Sequence, residues 1–295
     1  MLKMYHERSH SGSSPDFWDE NWAASHFEES VRFCVVDPLR PLFEKYLRPD
    51  SLMLEGGCGM GNYITYYAAR GYKVVGVDFA QKALSTLHKR QPDLMLSGGD
   101  VARLPFADET FDLYYSGGVV EHFEDGAEAA LNEARRVLKD SGVLLISVPY
   151  FNPLRRFLSP FRKQEWRLVK HSETNGDSIP GKKFFQYAYK PGEFEGMLSK
   201  AGLRTVERQP YAVIWGLGEI PFLRIGDGEF PTAPVKTRVD EIKVVDAGEL
   251  IKERPGSLLK RLAVNEDSVV PILGLGVRVL RWSAANMMMY VCKRA

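Results

Sequence analysis

The chain has 295 residues, 44% of them hydrophobic and 26% charged, which allows one large domain with a real core and excludes wholesale disorder. A formal net charge of +1 excludes a global electrostatic pull toward nucleic acid or membrane. The three cysteines, Cys34, Cys58 and Cys292, form no CxxC pair and no even framework, so neither a zinc site nor a disulfide scaffold is expected, and a reducing cytoplasm suits the chain.

Residues 1–50 read as an arm of their own. Its opening, "MLKMYHERSHSGSSPDFWDENW", lacks the continuous apolar core of a signal peptide. Aromatic residues Tyr5, Phe17, Trp18 and Trp22 stand among polar ones, followed by the helix-like "FEESVRFCVV" and "PLRPLFEKYL". Trp18 and Trp22 lie one helical turn apart, a spacing that fits a lid or plain packing.

From Ser51 to Pro149, short β-rich runs alternate with helical ones, the pattern of a parallel sheet covered by helices. "SLMLEGG", "YKVVGVDF", "LMLSGGD", "FDLYYSGG" and "VLLISVP" read as strands. "NYITYYAARG", "AQKALSTLHKRQ" and "GAEAALNEARRVLKDSG" read as the helices between them, the last stopped by Gly142. The helix "PGEFEGMLSKAG" and the strands "LRTVERQPYAV" and "NMMMYVCKRA" complete one doubly wound sheet. Two insertions, about 151–189 and 214–285, interrupt the scheme, so residues 51–295 are expected to be one domain whose insertions cap a substrate. The apolar run "VVPILGLGVRVLRW" is broken by Pro271, Arg278 and Arg281, too short and charged to span a bilayer, and leaves contact with a membrane surface open.

The strand, the turn "EGGCGMGN" and the following helix gather backbone N–H groups and a positive dipole end, a geometry that suits a nucleotide. A dinucleotide fingerprint would need a glycine at Asn62. What stands here is Glu55, Gly57, Gly59 and Gly61 at alternate positions. That pattern resembles the first motif of class I S-adenosylmethionine-dependent methyltransferases.

"GGDVARLPF", "PFADETFDLYYSGGVVEHFED" and "EARRVLKDSGVLLISVP" resemble the family's later motifs in the same order. The resemblance implies an α/β, doubly wound, mostly parallel seven-stranded Rossmann-like sheet with helices on both faces and inserted lid segments. It implies S-adenosylmethionine as cofactor and S-adenosylhomocysteine as product. By the same resemblance Glu55 orients the amino end of the cofactor, and Asp100 and Val101 meet its adenine. Gly56, Cys58, Asn62, Phe79, Ser116 and Gly117 join the expected cofactor-binding positions. Asp78, ending the second strand, can take both ribose hydroxyls, a placement that by itself fits a nicotinamide dinucleotide equally.

His122, just after the fourth strand, is the candidate general base for a hydroxyl acceptor, with Glu121 beside it; packing of the following helix is the bland alternative. A metal-binding variant of the family carries a further glutamate at the position of Gly118, so no metal is expected. Tyr5, Trp18, Trp22, Tyr150 and His171 are candidates for holding the acceptor, expected to be a small molecule; an anionic one would suit the insertion after the fifth strand, which is rich in Arg and Lys. No nucleic acid is expected. Two readings from other classes stand beside methyl transfer to oxygen or nitrogen: a noncatalytic adenosyl-binding partner subunit and a nicotinamide-dependent oxidoreductase.

Overall fold

Buried runs rich in Val, Leu and Ile between glycine stops leave their backbone only one way to satisfy its polar groups at depth, which is to pair with each other. In a computed structural model, which describes residues 1–23, 27–35, 37–169, 178–219 and 271–295, they do so as one large sheet. Its strands are β2 (Leu52–Gly56), β3 (Lys73–Asp78), β4 (Met95–Gly98), β5 (Phe111–Gly117), β6 (Leu138–Pro149), β9 (Leu203–Tyr211) and β10 (Met287–Arg294). The spatial order is β4-β3-β2-β5-β6-β10-β9, with β10 antiparallel to both neighbours and the other pairs parallel. The order reverses beside β2, so the carboxyl ends of β2 and β5 open the crevice where doubly wound sheets bind ligands.

Helices cover both faces. α2 (Phe27–Phe33), α3 (Arg40–Tyr46), α4 (Asn62–Ala68) and α5 (Gln81–Arg90) bury Phe27, Phe43, Ile64 and Leu87 on one. α6 (Glu128–Val137) and α8 (Pro191–Lys200) bury Leu131, Ala134, Phe194 and Leu198 on the other. α6 stops at Val137, well before Gly142, where the turn leading into β5 captures its last carbonyls: Thr110 N–H donates to Val137 O at 2.8 Å and Glu109 N–H to Arg136 O at 3.0 Å. Leu138 is already paired with Phe111, so the expected helical "LKDSG" is the beginning of β6 with a bulge.

The arm and the first insertion share a structure that neither shows alone. β1 (Leu2–His6) lies between β7 (Trp166–Leu168) and β8 (Lys183–Ala188) in an antiparallel three-stranded sheet. Between β1 and α2 runs α1 (Pro15–Ala23), and after β6 comes α7 (Pro153–Leu158) with a 3-10 turn at Ser159–Phe161. α9 (Val213–Leu217) follows β9, and α10 (Pro271–Ala284) leads into β10.

Candidate functional site

At the end of β2 the chain turns through Gly57, Gly59 and Gly61 with φ of 73°, 50° and 69°, the left-handed region where a side chain is strained. Space forbids one as well: a Cβ on Gly57 would lie 2.4 Å from Val119, and one on Gly59 2.6 Å from the Trp22 ring. The turn is stitched to β3 by Gly57 N–H and Cys58 N–H, both donating to Val77 O.

Asp78 completes that attachment. Its Oδ2 accepts from Gly59 N–H at 2.7 Å and its Oδ1 from Ala80 N–H at 2.8 Å. Phe79 N–H also bonds to this carboxylate, and of its four lone-pair positions at least one remains for a ligand. Glu55 is buried beneath the turn, where its Oε2 accepts from Ile64 N–H at 3.1 Å. Burial pushes its carboxyl up to about 8 and raises that of Asp78. Among the described residues, no Lys or Arg forms an ion pair with Glu55, Asp78 or Glu121. Buried acids without a basic partner suit a cationic ligand and disfavour a pyrophosphate. Nearby Ser116 Oγ and Asn62 Oδ1 are buried with no hydrogen-bond partner. A sulfonium ligand with an ammonium group fits this donor and acceptor set.

The other expected cofactor positions are distributed around the same crevice. Asp100 is exposed, its Oδ1 accepting from Ala102 N–H at 2.8 Å, while Val101 beside it is buried. Phe79 is half-buried against the α4–α5 side of the core, and the Cys58 thiol is buried. Gly56 and Gly117 end β2 and β5.

His122 ends a 3-10 turn, Val120–His122, and is almost fully buried. Its Nδ1 lies 2.7 Å from Phe185 O, a contact that needs a proton on Nδ1 and leaves a lone pair on Nε2. Burial holds the ring's pKa down at about 4. Glu121 Oε1 is 3.9 Å from Nε2; Oε2 has no hydrogen-bond partner, and burial raises this carboxyl to about 8.

The arm reaches this histidine. Trp18 meets the His122 ring edge-on at 4.8 Å, Phe185 tilts against it at 5.1 Å, and Trp18 stacks on Trp22 at 5.8 Å. Ser13 Oγ donates to His122 O at 2.7 Å. The structure therefore joins Trp18 and Trp22 to the glycine turn and His122. It does not bring Tyr5 there: its ring lies beside the Lys3 ammonium, 5.7 Å away, within the core that includes Tyr187. Tyr150 closes the carboxyl end of β6, its hydroxyl donating to Trp282 O at 3.2 Å. His171 lies outside the described residues. Of the basic insertion, Arg155 is turned inward, where it pairs with Glu219 at 2.6 Å and donates to Tyr150 O and Asn286 O.

Three contributors escaped sequence reasoning: Phe185, whose carbonyl sets the His122 tautomer, Val119 over Gly57, and Asp19. The Asp19 carboxylate accepts from Lys82 N–H at 3.1 Å and Ala83 N–H at 3.3 Å, capping α5 from α1. An acidic residue inside the aromatic arm was the only available signal.

A family model described as a methyltransferase domain matches residues 54–146. A probable S-adenosylmethionine-dependent methyltransferase of Mycolicibacterium smegmatis is 32% identical over 125 residues, 41% of this chain and 48% of that one. The demethylmenaquinone methyltransferase of Renibacterium salmoninarum is 34% identical over 133 residues, 44% of this chain and 56% of that one. The chain thus spans about half the length of these curated relatives. Among solved structures, a putative methyltransferase of Haloferax volcanii, in complex with the Trm112 methyltransferase activator, superposes with a TM-score of 0.52 over 94% of this chain and 97% of that one. At 16% identity that likeness shows the fold alone.

Proposed function

Since residues 54–146 belong to the class I S-adenosylmethionine-dependent methyltransferases, we propose that the chain transfers a methyl group from S-adenosylmethionine to an oxygen or nitrogen of a small molecule. The observation that carries this reading is the glycine turn held by Asp78 over buried Glu55, an acidic cradle without a basic ion-pair partner among the described residues.

When bound, the cofactor supplies an electrophilic methyl on a sulfonium leaving group, so the protein's chief tasks are alignment and removal of the acceptor's proton. The turn lets backbone approach the methionine end, Glu55 and the orphaned Asn62 Oδ1 face its ammonium, and Asp78 takes the ribose. Asp100 and Val101 take the adenine. His122 is the candidate base: its neutral ring keeps the Nε2 lone pair, and Glu121, once ionised near pH 8, would stabilise the charge that proton uptake creates. Trp18 and Trp22 close the crevice from the arm, so residues 1–50 act as a lid, and the first insertion encloses the acceptor; most of the second insertion, expected at about 214–285, lies outside the described residues. A cytoplasmic setting is consistent with three cysteines that are free and buried.

Calorimetric titration with S-adenosylhomocysteine, with NADH as control, tests the reading. Micromolar product binding without an NADH signal is expected, and Asp78→Ala should weaken it by tenfold or more, two charge-assisted hydrogen bonds being lost. His122→Ala should retain product binding and lose turnover on an acceptor panel of phenols, carboxylates and sugars; undiminished turnover would leave His122 a packing residue. Binding without turnover on any acceptor would favour an adenosyl-binding subunit, and binding of neither ligand would refute the cradle.

A further inference from the structure

Six of the nine large apolar side chains standing exposed among the described residues lie on three helices that pack together: Phe157 and Phe161 on α7 and its 3-10 turn, Trp215 on α9, and Leu275, Val279 and Trp282 on α10. Their exposure runs from 42% for Trp282 to 77% for Phe161, which is unusual for so many aromatics in one place. On α10 the spacing i, i+4, i+7 puts three of them on one side of the helix.

The charge around them has one sign. Neither 153–163, "PLRRFLSPFRK", nor 271–284, "PILGLGVRVLRWSA", contains an aspartate or glutamate, and Arg156, Lys163 and Arg278 are exposed within these stretches. The nearby acids Glu165 and Glu219 are engaged by Arg162 and Arg155. No helix among the described residues is long and apolar enough to cross a membrane, and α10, with 14 residues, is about two thirds of that length.

We propose that this face docks on an anionic lipid bilayer. Separate aromatic and aliphatic side chains on three helices, set among cations, match what the headgroup region accepts: amphipathic rings at the interface, apolar tips just below it and arginines on lipid phosphates. Such a partner needs no shaped groove, and its negative charge complements stretches 153–163 and 271–284, which carry Arg and Lys and no acid, with the neighbouring Glu165 and Glu219 already paired. The three helices all meet the carboxyl end of the large sheet: α7 follows β6, α9 follows β9, and α10 enters β10 where Met287 pairs with Pro149. The docking face stands without the methyl-transfer reading. Combined with that reading, it sets the crevice beside the headgroups, so an acceptor carried by a lipid would reach it directly.

Co-sedimentation of the full chain with vesicles tests the proposal, comparing phosphatidylcholine alone with phosphatidylcholine mixed with phosphatidylglycerol. Binding to the mixed vesicles only, weakened by salt and accompanied by a blue shift of tryptophan emission, is expected. The pair Phe157→Ser with Phe161→Ser, and separately Arg156→Glu with Lys163→Glu, should each lower vesicle affinity about tenfold or more, with an unchanged thermal midpoint as the control for folding. Wild-type protein left in the supernatant, or variants that sediment like it, would overturn the proposal. So would concentration-dependent dimers that the Phe157 and Phe161 pair abolishes while no vesicle binding occurs, since the face would then be a contact between copies. Failure of S-adenosylhomocysteine binding would touch the methyl-transfer reading alone.

Discussion

Three buried titratable side chains at the crevice give the protein a pH signature that its surface charge would not. Glu55 and Glu121 titrate near 8 in the fold against about 4.5 in the open chain, so the folded state holds more protons between those values and stability falls as pH rises through them. His122, near 4 in the fold against 6.5, acts oppositely, adding stability as pH rises from about 4 to 6.5. The effects partly offset below pH 6.5, and above it only the glutamates remain. The ligand-free protein should therefore lose roughly 1.5 kcal/mol per glutamate between pH 6.5 and 8. Thermal melts across that range check this: Glu121→Gln should remove about half of the slope, and a wild-type midpoint that rises toward pH 8 would contradict the assignment. Glu55, the glycines and Asp78 were legible in the sequence from their spacing. The burial that shifts His122 was not, because Phe185 and Trp18, which pack on its ring, are distant in the chain.

At the level of elements, the arm is attached to the sheet domain through helix ends. α5 has no side-chain cap of its own, since Ala80 occupies that position, and Asp19 from α1 fills the role. Asp19→Ala should cost about 1 kcal/mol, the ordinary value of an N-cap. Urea unfolding would measure that, and titration of the variant should show weaker S-adenosylhomocysteine binding, because Trp18 and Trp22 ride on the same helix. A variant with unchanged stability would mean that α1 is held by its aromatic contacts alone. Helical periodicity revealed most helices, yet the end of α6 was misplaced at Gly142. The glycine is not the stop, because the turn before β5 already captures the carbonyls of Arg136 and Val137.

Across the whole molecule, the insertions are fastened to the large sheet by buried charge. Arg155 is almost completely buried on α7, yet its guanidinium pairs with Glu219 beyond α9 and with Asn286 at the entry to β10. Removing one member of such a network leaves the other without compensation, so Arg155→Met should destabilise by about 3 kcal/mol or more. Guanidinium unfolding of the variant gives the number, and a loss below 1 kcal/mol would show that apolar packing holds the insertion by itself. Because this arginine faces inward, the basic composition of residues 151–189 is not a measure of the charge that an acceptor would meet.

The sequence by itself determined the strand order of the large sheet along the chain, the glycine turn and the carboxylates at the ends of β2 and β3, because each of these is local: a period, a stop or a residue at the end of a strand. Only the tertiary structure decided that β1 would pair with β7 and β8, that Trp22 would lie on Gly59, and that Phe185 would orient His122. Those contacts join segments as far apart as Leu2 and Ala188. Pairing at that distance is set by which surfaces remain unburied once the local elements have formed, and no spacing within a single segment records it.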